Sequence, residues 1–214
     1  MRTRIKICGI TRASDAAVAA ECGVDAIGII FVPQSRRMMG ISAAVAVGRE
    51  VPLLVDLVGV FVDPVPGQVE TVLDQVPLTI LQFHGDETRA ACEQFGLPYI
   101  KAIRMKPEID PLKALESHPK AAALLLDTFC EEVHGGTGVA FDWHQACVES
   151  TVPIIVAGGL RVANVAQALH QSGAWGVDVS TGVETGPGEK NAQMIVDFCN
   201  AVRDYDTQRQ GESA

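Results

Sequence analysis

Apolar residues gather in eight short runs along the chain, each rich in Val, Ile or Leu and each closed by a turn. The runs are residues 4–9, 26–31, 57–63, 79–84, 99–104, 123–128, 153–158 and 175–181. Most are apolar at consecutive rather than alternate positions, as expected of parallel strands covered on both faces. Their starts lie roughly 20 to 31 residues apart, the length a strand–helix unit needs. Helical spacing fills the intervals. Residues 15–22 follow Ser14, a fitting N-cap, and end near Gly23. Residues 42–49, 87–95, 164–172 and 191–205 repeat the pattern. No linker divides the chain, so residues 1–206 read as one domain and 207–214 as a loose polar tail.

Eight βα units in slightly over 200 residues fit an α/β fold of the compact (β/α)8 kind, the TIM barrel. An open doubly wound sheet is the alternative. Its first βα turn would carry GxGxxG, and Cys8-Gly9-Ile10-Thr11 does not. The barrel is therefore preferred.

Composition narrows the class. The chain is 48% hydrophobic and 20% charged, enough for a sizeable core and unlike a disordered segment. No apolar run is long enough to span a bilayer, and the basic start, Met1-Arg2-Thr3-Arg4, has no apolar signal stretch behind it. The net charge of −9 offers no basic face to duplex nucleic acid. The expectation is an acidic cytoplasmic protein that binds neither nucleic acid nor membrane. Its six cysteines form no CxxC pair and no zinc spacing, so they read as free thiols with no metal.

Barrel enzymes of this class work at the C-terminal ends of their strands. Residues two apart on a strand share a face, which groups Lys6 with Cys8, Gln82 with His84 and Asp178 with Ser180. Asp127 ends a strand with nothing polar before it. Two glycine segments, Ala157-Gly158-Gly159-Leu160 and Ser180-Thr181-Gly182, follow the last two strands. Free backbone N–H groups in those two loops make the phosphate site typical of this barrel, so a phosphorylated small molecule is the expected ligand.

The chain resembles the phosphoribosylanthranilate isomerase family. The resemblance rests on Lys6-Ile-Cys-Gly-Ile-Thr11, Gly28-Ile-Ile-Phe31 with Ser35-Arg36-Arg37, Val58-Gly-Val-Phe-Val62 and Leu81-Gln-Phe-His-Gly-Asp-Glu87. It continues through Leu125-Leu-Asp-Thr128, Gly135-Gly-Thr-Gly138 with Phe141-Asp-Trp143, Ala157-Gly-Gly-Leu160 and Gly176-Val-Asp-Val-Ser-Thr-Gly-Val-Glu184. These stretches run in order through all but the polar tail. The combination is specific where any one alone would not be.

The resemblance implies an Amadori rearrangement of N-(5-phosphoribosyl)anthranilate in tryptophan biosynthesis, with neither metal nor cofactor. It makes Asp127 the general acid for ring opening and Cys8 the general base at carbon 2 of the sugar. Asp127 must then hold a proton at neutral pH. Cys8 must be partly thiolate, with Lys6 as a candidate source of positive charge. Arg37 aligns with the arginine that holds the anthranilate carboxylate, though Arg36 lies only one position away. Gly158, Gly159, Ser180, Thr181 and Gly182 would take the phosphate. Asp178 would orient a sugar hydroxyl or make a structural hydrogen bond, and His84 joins the substrate-binding rim. Thr181 stands where many relatives carry Ser. The resemblance leaves a monomer and a homodimer both open.

Rival readings stay in view. Another phosphosugar barrel would want several catalytic lysines, or a metal held by His and Asp. Lys101 could form a Schiff base or a structural ion pair. A binder without turnover would need neither Cys8 nor Asp127. Activity on the related histidine-pathway aminoaldose would call for a second phosphate site. Of the remaining histidines, His118 and His170 read as surface residues, while His134 and His144 flank the loop after the sixth strand.

Overall fold

A computed structural model of the chain describes residues 2–106, 109–128 and 142–212. Eight parallel strands close into a barrel in chain order: β1 (Arg4–Cys8), β2 (Ala26–Ile30), β3 (Asp56–Phe61), β4 (Ile80–Phe83), β5 (Tyr99–Met105), β6 (Ala123–Thr128), β7 (Ile154–Val156) and β8 (Gly176–Val179). β8 pairs back onto β1 through Arg4↔Gly176 to Ile7↔Val179, which closes the ring and leaves no open sheet. Helices α1 (Ala13–Glu21), α2 (Ile41–Arg49), α3 (Pro66–Leu73), α4 (Arg89–Glu93), α5 (Pro111–Ser117), α6 (Val165–Ser172) and α7 (Ala192–Glu212) surround it. Past β8 a short antiparallel hairpin forms from β9 (Glu184–Gly186) and β10 (Glu189–Lys190).

Two apolar clusters follow from strand alternation. The larger lies between sheet and helices and includes Ile7, Ile27, Phe61, Phe83, Leu124 and Phe198. The smaller fills the barrel interior with compact residues, among them Val58, Ala102, Ala123, Leu125, Ile155 and Ala157. A strand two residues longer than this apolar filling must put its next inward side chain at the C-terminal mouth. On β1, β4, β5, β6 and β8 that side chain is polar, Arg104 being the one on β5.

Several local expectations change. Ser14 does not cap α1, because Arg12 is the N-cap, through its backbone, and Ser14 is already inside the helix. The sequence pattern did not mark α3 and α5. Both are short and open on a proline in the first turn, where its fixed φ suits the helix, and Asp110 caps α5 by accepting from Leu112 N. Residues 207–211, expected in a loose tail, continue α7 as exposed helix, with Thr207 Oγ1 donating to the Arg203 carbonyl. His118 is buried rather than on the surface, against Tyr99, and burial pushes its pKa down. His170 is exposed. Cys130, His134, the glycine stretch 135–138 and Phe141 lie outside the described residues. Among the described residues, no helix is long and apolar enough to cross a membrane.

Lys101 lies outside the barrel interior. It shares parity with Tyr99, so its ammonium lies between sheet and helices. There it donates to Glu87 Oε2 at 2.9 Å and to the Gly85 carbonyl at 2.6 Å. Glu87 in turn accepts from the N–H groups of Asp63 and Gly85. This cluster ties the β3 and β4 loops together and leaves no free amine for a Schiff base.

Candidate active site

The C-terminal mouth gathers the polar residues of five strands, Arg104 of β5 among them, which donates to the His84 carbonyl. From β1, Lys6 and Cys8 point inward, 3% and 6% exposed. Gly28 on β2 makes room for both. A Cβ built there would lie 2.9 Å from Cys8 Sγ and 3.1 Å from Lys6 Nζ, so any side chain would displace the pair. Lys6 Nζ also donates to Asp178 Oδ1 of β8 at 3.0 Å, a buried ion pair.

Charge in this corner departs from the expectation for Cys8. Burial pushes the thiol pKa up, and Asp178 adds to the rise. Lys6 and Lys190 pull it down by less, so the free protein holds Cys8 as a thiol. Burial also disfavours the Lys6 ammonium, but Asp178 and Cys8 outweigh it and its pKa is raised. A thiolate at this position would have the Lys6 ammonium beside it, but Lys6 does not offset the effect of burial in the free protein.

Arg37, not Arg36, enters the site: Arg36 is solvent-exposed, while the Arg37 side chain is 12% exposed. Its Nε and Nη2 donate to the two oxygens of Glu184 at 2.8 and 2.6 Å. Lys190 Nζ donates to Glu184 at 2.6 Å and to the Ser180 carbonyl at 3.0 Å. The β9–β10 hairpin faces Glu184 and Lys190 across its ladder, which fixes both. Thr11 and Arg12 donate to carbonyls of Gly188 and Lys190, so the first and last loops hold this hairpin between them. The Glu184 fork leaves Arg37 Nη1 for another carboxylate. Neither Glu184 nor Lys190 stood out in the sequence. Glu184 ends a matching stretch, but its partner lies 147 positions away.

Burial disfavours the Glu184 carboxylate, but bonds from Arg37 and Lys190 hold its pKa below the ordinary 4.5. Glu87 is lowered in the same way, chiefly by Lys101 against burial. A carboxylate lowered in the folded state adds stability above its ordinary value and loses it as pH falls through the lowered one. Thermal melting followed from pH 7 downward is expected to hold until near pH 4.5 and then decline steadily. The double variant Glu87→Gln/Glu184→Gln should flatten that decline.

On the opposite wall, Asp127 ends the inward face of β6. Its Oδ2 lies 3.1 Å from His84 Nε2, and His84 Nδ1 lies 3.0 Å from Gln82 Nε2. Gln82 is 1% exposed, and its Oε1 has no partner among the described residues. Next to Asp127 runs the turn after β7. Gly158 and Gly159 both have left-handed backbones, with φ of 79° and 65°. A Cβ on Gly158 would collide with Thr128 Oγ1 and sit 2.6 Å from Asp127 Oδ1. Asn164 holds this turn by donating to the Gly159 carbonyl and accepting from Arg161 N. Beside it, Ser180 precedes a 3-10 turn over Thr181–Val183 that contains Gly182. The N–H groups of Gly158 and Gly159 have no acceptor among the described residues.

The structure thus brings Cys8, Arg37, Asp127, His84, Gly158, Gly159, Ser180, Thr181 and Gly182 to one mouth. Asp178 lies a layer deeper, occupied with Lys6. A closed eight-stranded barrel with a thiol, a carboxylate and two glycine turns at one mouth has the architecture of a (β/α)8-barrel enzyme.

Comparison with known proteins names the family. The family model described as N-(5'phosphoribosyl)anthranilate (PRA) isomerase matches residues 5–201. The chain is 45% identical over 205 residues to the N-(5'-phosphoribosyl)anthranilate isomerase of Leptothrix cholodnii, covering 96% of this chain and 93% of the relative. It is 47% identical over 200 residues to that of Pseudomonas paraeruginosa, covering 94% and 95%. The phosphoribosyl anthranilate isomerase structure from Thermotoga maritima superposes with a TM-score of 0.86 at 34% identity, covering 94% of this chain and 99% of that one. Another structure of such an isomerase, with TM-score 0.82, 32% identity and the same coverage, holds reduced 1-(o-carboxyphenylamino)-1-deoxyribulose 5-phosphate. The chain belongs to the N-(5'-phosphoribosyl)anthranilate isomerase family.

Proposed function

We infer that this chain catalyses the Amadori rearrangement of N-(5-phosphoribosyl)anthranilate to 1-(2-carboxyphenylamino)-1-deoxyribulose 5-phosphate, a step of tryptophan biosynthesis. The observation that supports the reading is that Cys8 on β1 and Asp127 on β6 both stand at the C-terminal mouth, where the reaction needs a base and an acid. Asp127 donates a proton to the furanose ring oxygen, the bond from that oxygen to carbon 1 breaks, and an iminium forms at carbon 1. Cys8, its own proton first passed to solvent, takes as thiolate the proton from carbon 2, giving an enolamine. Protonation of carbon 1 and loss of the proton on the carbon-2 hydroxyl complete the ketone, with no atom gained or lost.

Each end of the substrate has a site of matching chemistry. Arg37, held by Glu184, offers its remaining edge to the anthranilate carboxylate. The N–H groups of Gly158, Gly159, Thr181 and Gly182 take the phosphate, with Ser180 beside them. These local donors, with Lys6 and Lys190, offset the overall charge of −9, which by itself repels a dianionic ligand. We assign the reaction to the cytoplasm, where thiols stay reduced, since Cys8 must remain a free thiol. Every group invoked comes from one chain, so a monomer or a homodimer satisfies the chemistry.

Mixing the protein with freshly generated phosphoribosylanthranilate, without added metal, tests the function through loss of substrate fluorescence. Rapid loss is expected, and no loss would reject this substrate. In the same assay Arg37→Ala should raise KM by about 10- to 100-fold. A charged hydrogen bond contributes roughly 1.5–3 kcal/mol, and Glu184 would keep only Lys190 as partner. Unchanged KM would move the carboxylate site elsewhere.

A further inference from the structure

The reaction as written leaves Gln82 and His84 unused, although both reach the mouth from the inward face of β4. Gln82 is level with Ile100 of β5, so His84 is level with Ala102, whose methyl leaves space at that layer. Asp127 is level with Arg104, one layer higher. The imidazole therefore reaches upward across β5 to Asp127 Oδ2, with Gln82 at its other nitrogen.

We propose that His84 is a positioning residue for the general acid, with Gln82 setting its tautomer: together they hold Asp127 by Oδ2 and leave Oδ1 to carry the proton to the substrate. The inference rests on the isomerase reading above. In the orientation that sets its Nε2 toward the ring, the Gln82 amide donates and the ring nitrogen facing it accepts. His84 Nδ1 is then unprotonated, and the single ring hydrogen sits on Nε2, donating to Oδ2. With Oδ2 accepting, the acidic proton belongs on Oδ1. That oxygen faces Gly158, on the side of the glycine turn that receives the phosphate end of the sugar. When Oδ1 gives its proton to the ring oxygen, negative charge spreads onto Oδ2 and the bond from His84 becomes charge-assisted. The contact thus strengthens as the barrier is crossed, which raises kcat more than it tightens binding. The opposite tautomer would turn Nε2 into an acceptor competing for the proton Asp127 must deliver. The buried Gln82 amide keeps its place although its Oε1 finds no partner among the described residues. A leucine there would fill the space but leave the tautomer open.

Steady-state kinetics of the whole protein on phosphoribosylanthranilate, with melting curves for each variant, test this. His84→Ala is expected to lower kcat by about 10- to 100-fold with KM within about threefold, the scale of misplacing a reacting group. His84→Gln returns a donor toward the same oxygen and should regain most of the loss. Gln82→Leu should fall between wild type and His84→Ala. In an Asp127→Asn background, His84→Ala should cost nothing more. The proposal is overturned if His84→Ala raises KM and leaves kcat alone, which would make His84 a substrate contact. It is also overturned if its loss multiplies with that of Asp127→Asn, or if His84→Gln melts like wild type yet regains nothing. Failure of the wild type to turn over this substrate would instead remove the isomerase reading, before any variant is compared.

Discussion

Asp127→Asn and Cys8→Ala are each expected to lower kcat by about 10²- to 10⁴-fold with KM nearly unchanged, the range for one positioned acid or base. The two losses should stop different half-steps. Asparagine keeps the shape and the contact with His84 but has no acidic proton for the ring oxygen, so the ring stays closed. Alanine at position 8 lets the ring open but cannot take the carbon-2 proton. In deuterium oxide, wild type should place solvent deuterium on carbon 1 of the product and Cys8→Ala should place none. A product analogue should still bind both variants, since Arg37 and the glycine turns are untouched. Full activity in either variant would remove that residue from the acid–base pair while leaving the function itself in place.

The second large effect concerns the barrel floor beneath the thiol. Lys6→Met is expected to destabilise the protein by about 3–5 kcal/mol, because Asp178 is left buried without its cation. For a chain of this length that is roughly 6–20 °C in Tm. Adding Asp178→Leu should restore most of the stability, since a well-packed apolar pair replaces a buried ion pair at little cost. Activity should not return. Burial still pushes the Cys8 thiol up, and the thiol would have lost Lys6, whose pull exceeds the push of the removed Asp178. A stable but inactive double variant separates the two duties of Lys6. Recovery of activity with stability would give it a structural duty alone.

Sequence and structure agree where burial on both faces leaves a linear trace. Consecutive apolar residues in β2, β3, β6 and β7 follow from a strand covered by helices outside and side chains inside. Alternation then assigns Lys6, Cys8, Gln82 and His84 to the interior without further information. The α3 and α5 helices escaped this reading because each offers too few turns for an apolar stripe. Of the two readings of Lys101, the structural ion pair holds, with Glu87 as its partner, because strand parity turns the side chain toward the helices. The thiol of Cys8 was misjudged because a neighbouring cation is visible in sequence, whereas loss of solvent around the sulfur is not.

The sequence by itself determined the eight strands, the barrel, and which residue types stand at the strand ends, because these depend on local apolar runs and on the strand periodicity of two. Only the tertiary structure decided that Glu184 and Lys190 frame Arg37, that Asp178 is taken by Lys6, and that His84 meets Asp127 with Gln82 behind it. Those contacts join residues 6, 37, 84 and 127 to partners on other strands or loops. The barrel's closure and the stagger of its strands decide such contacts, and no local pattern records them.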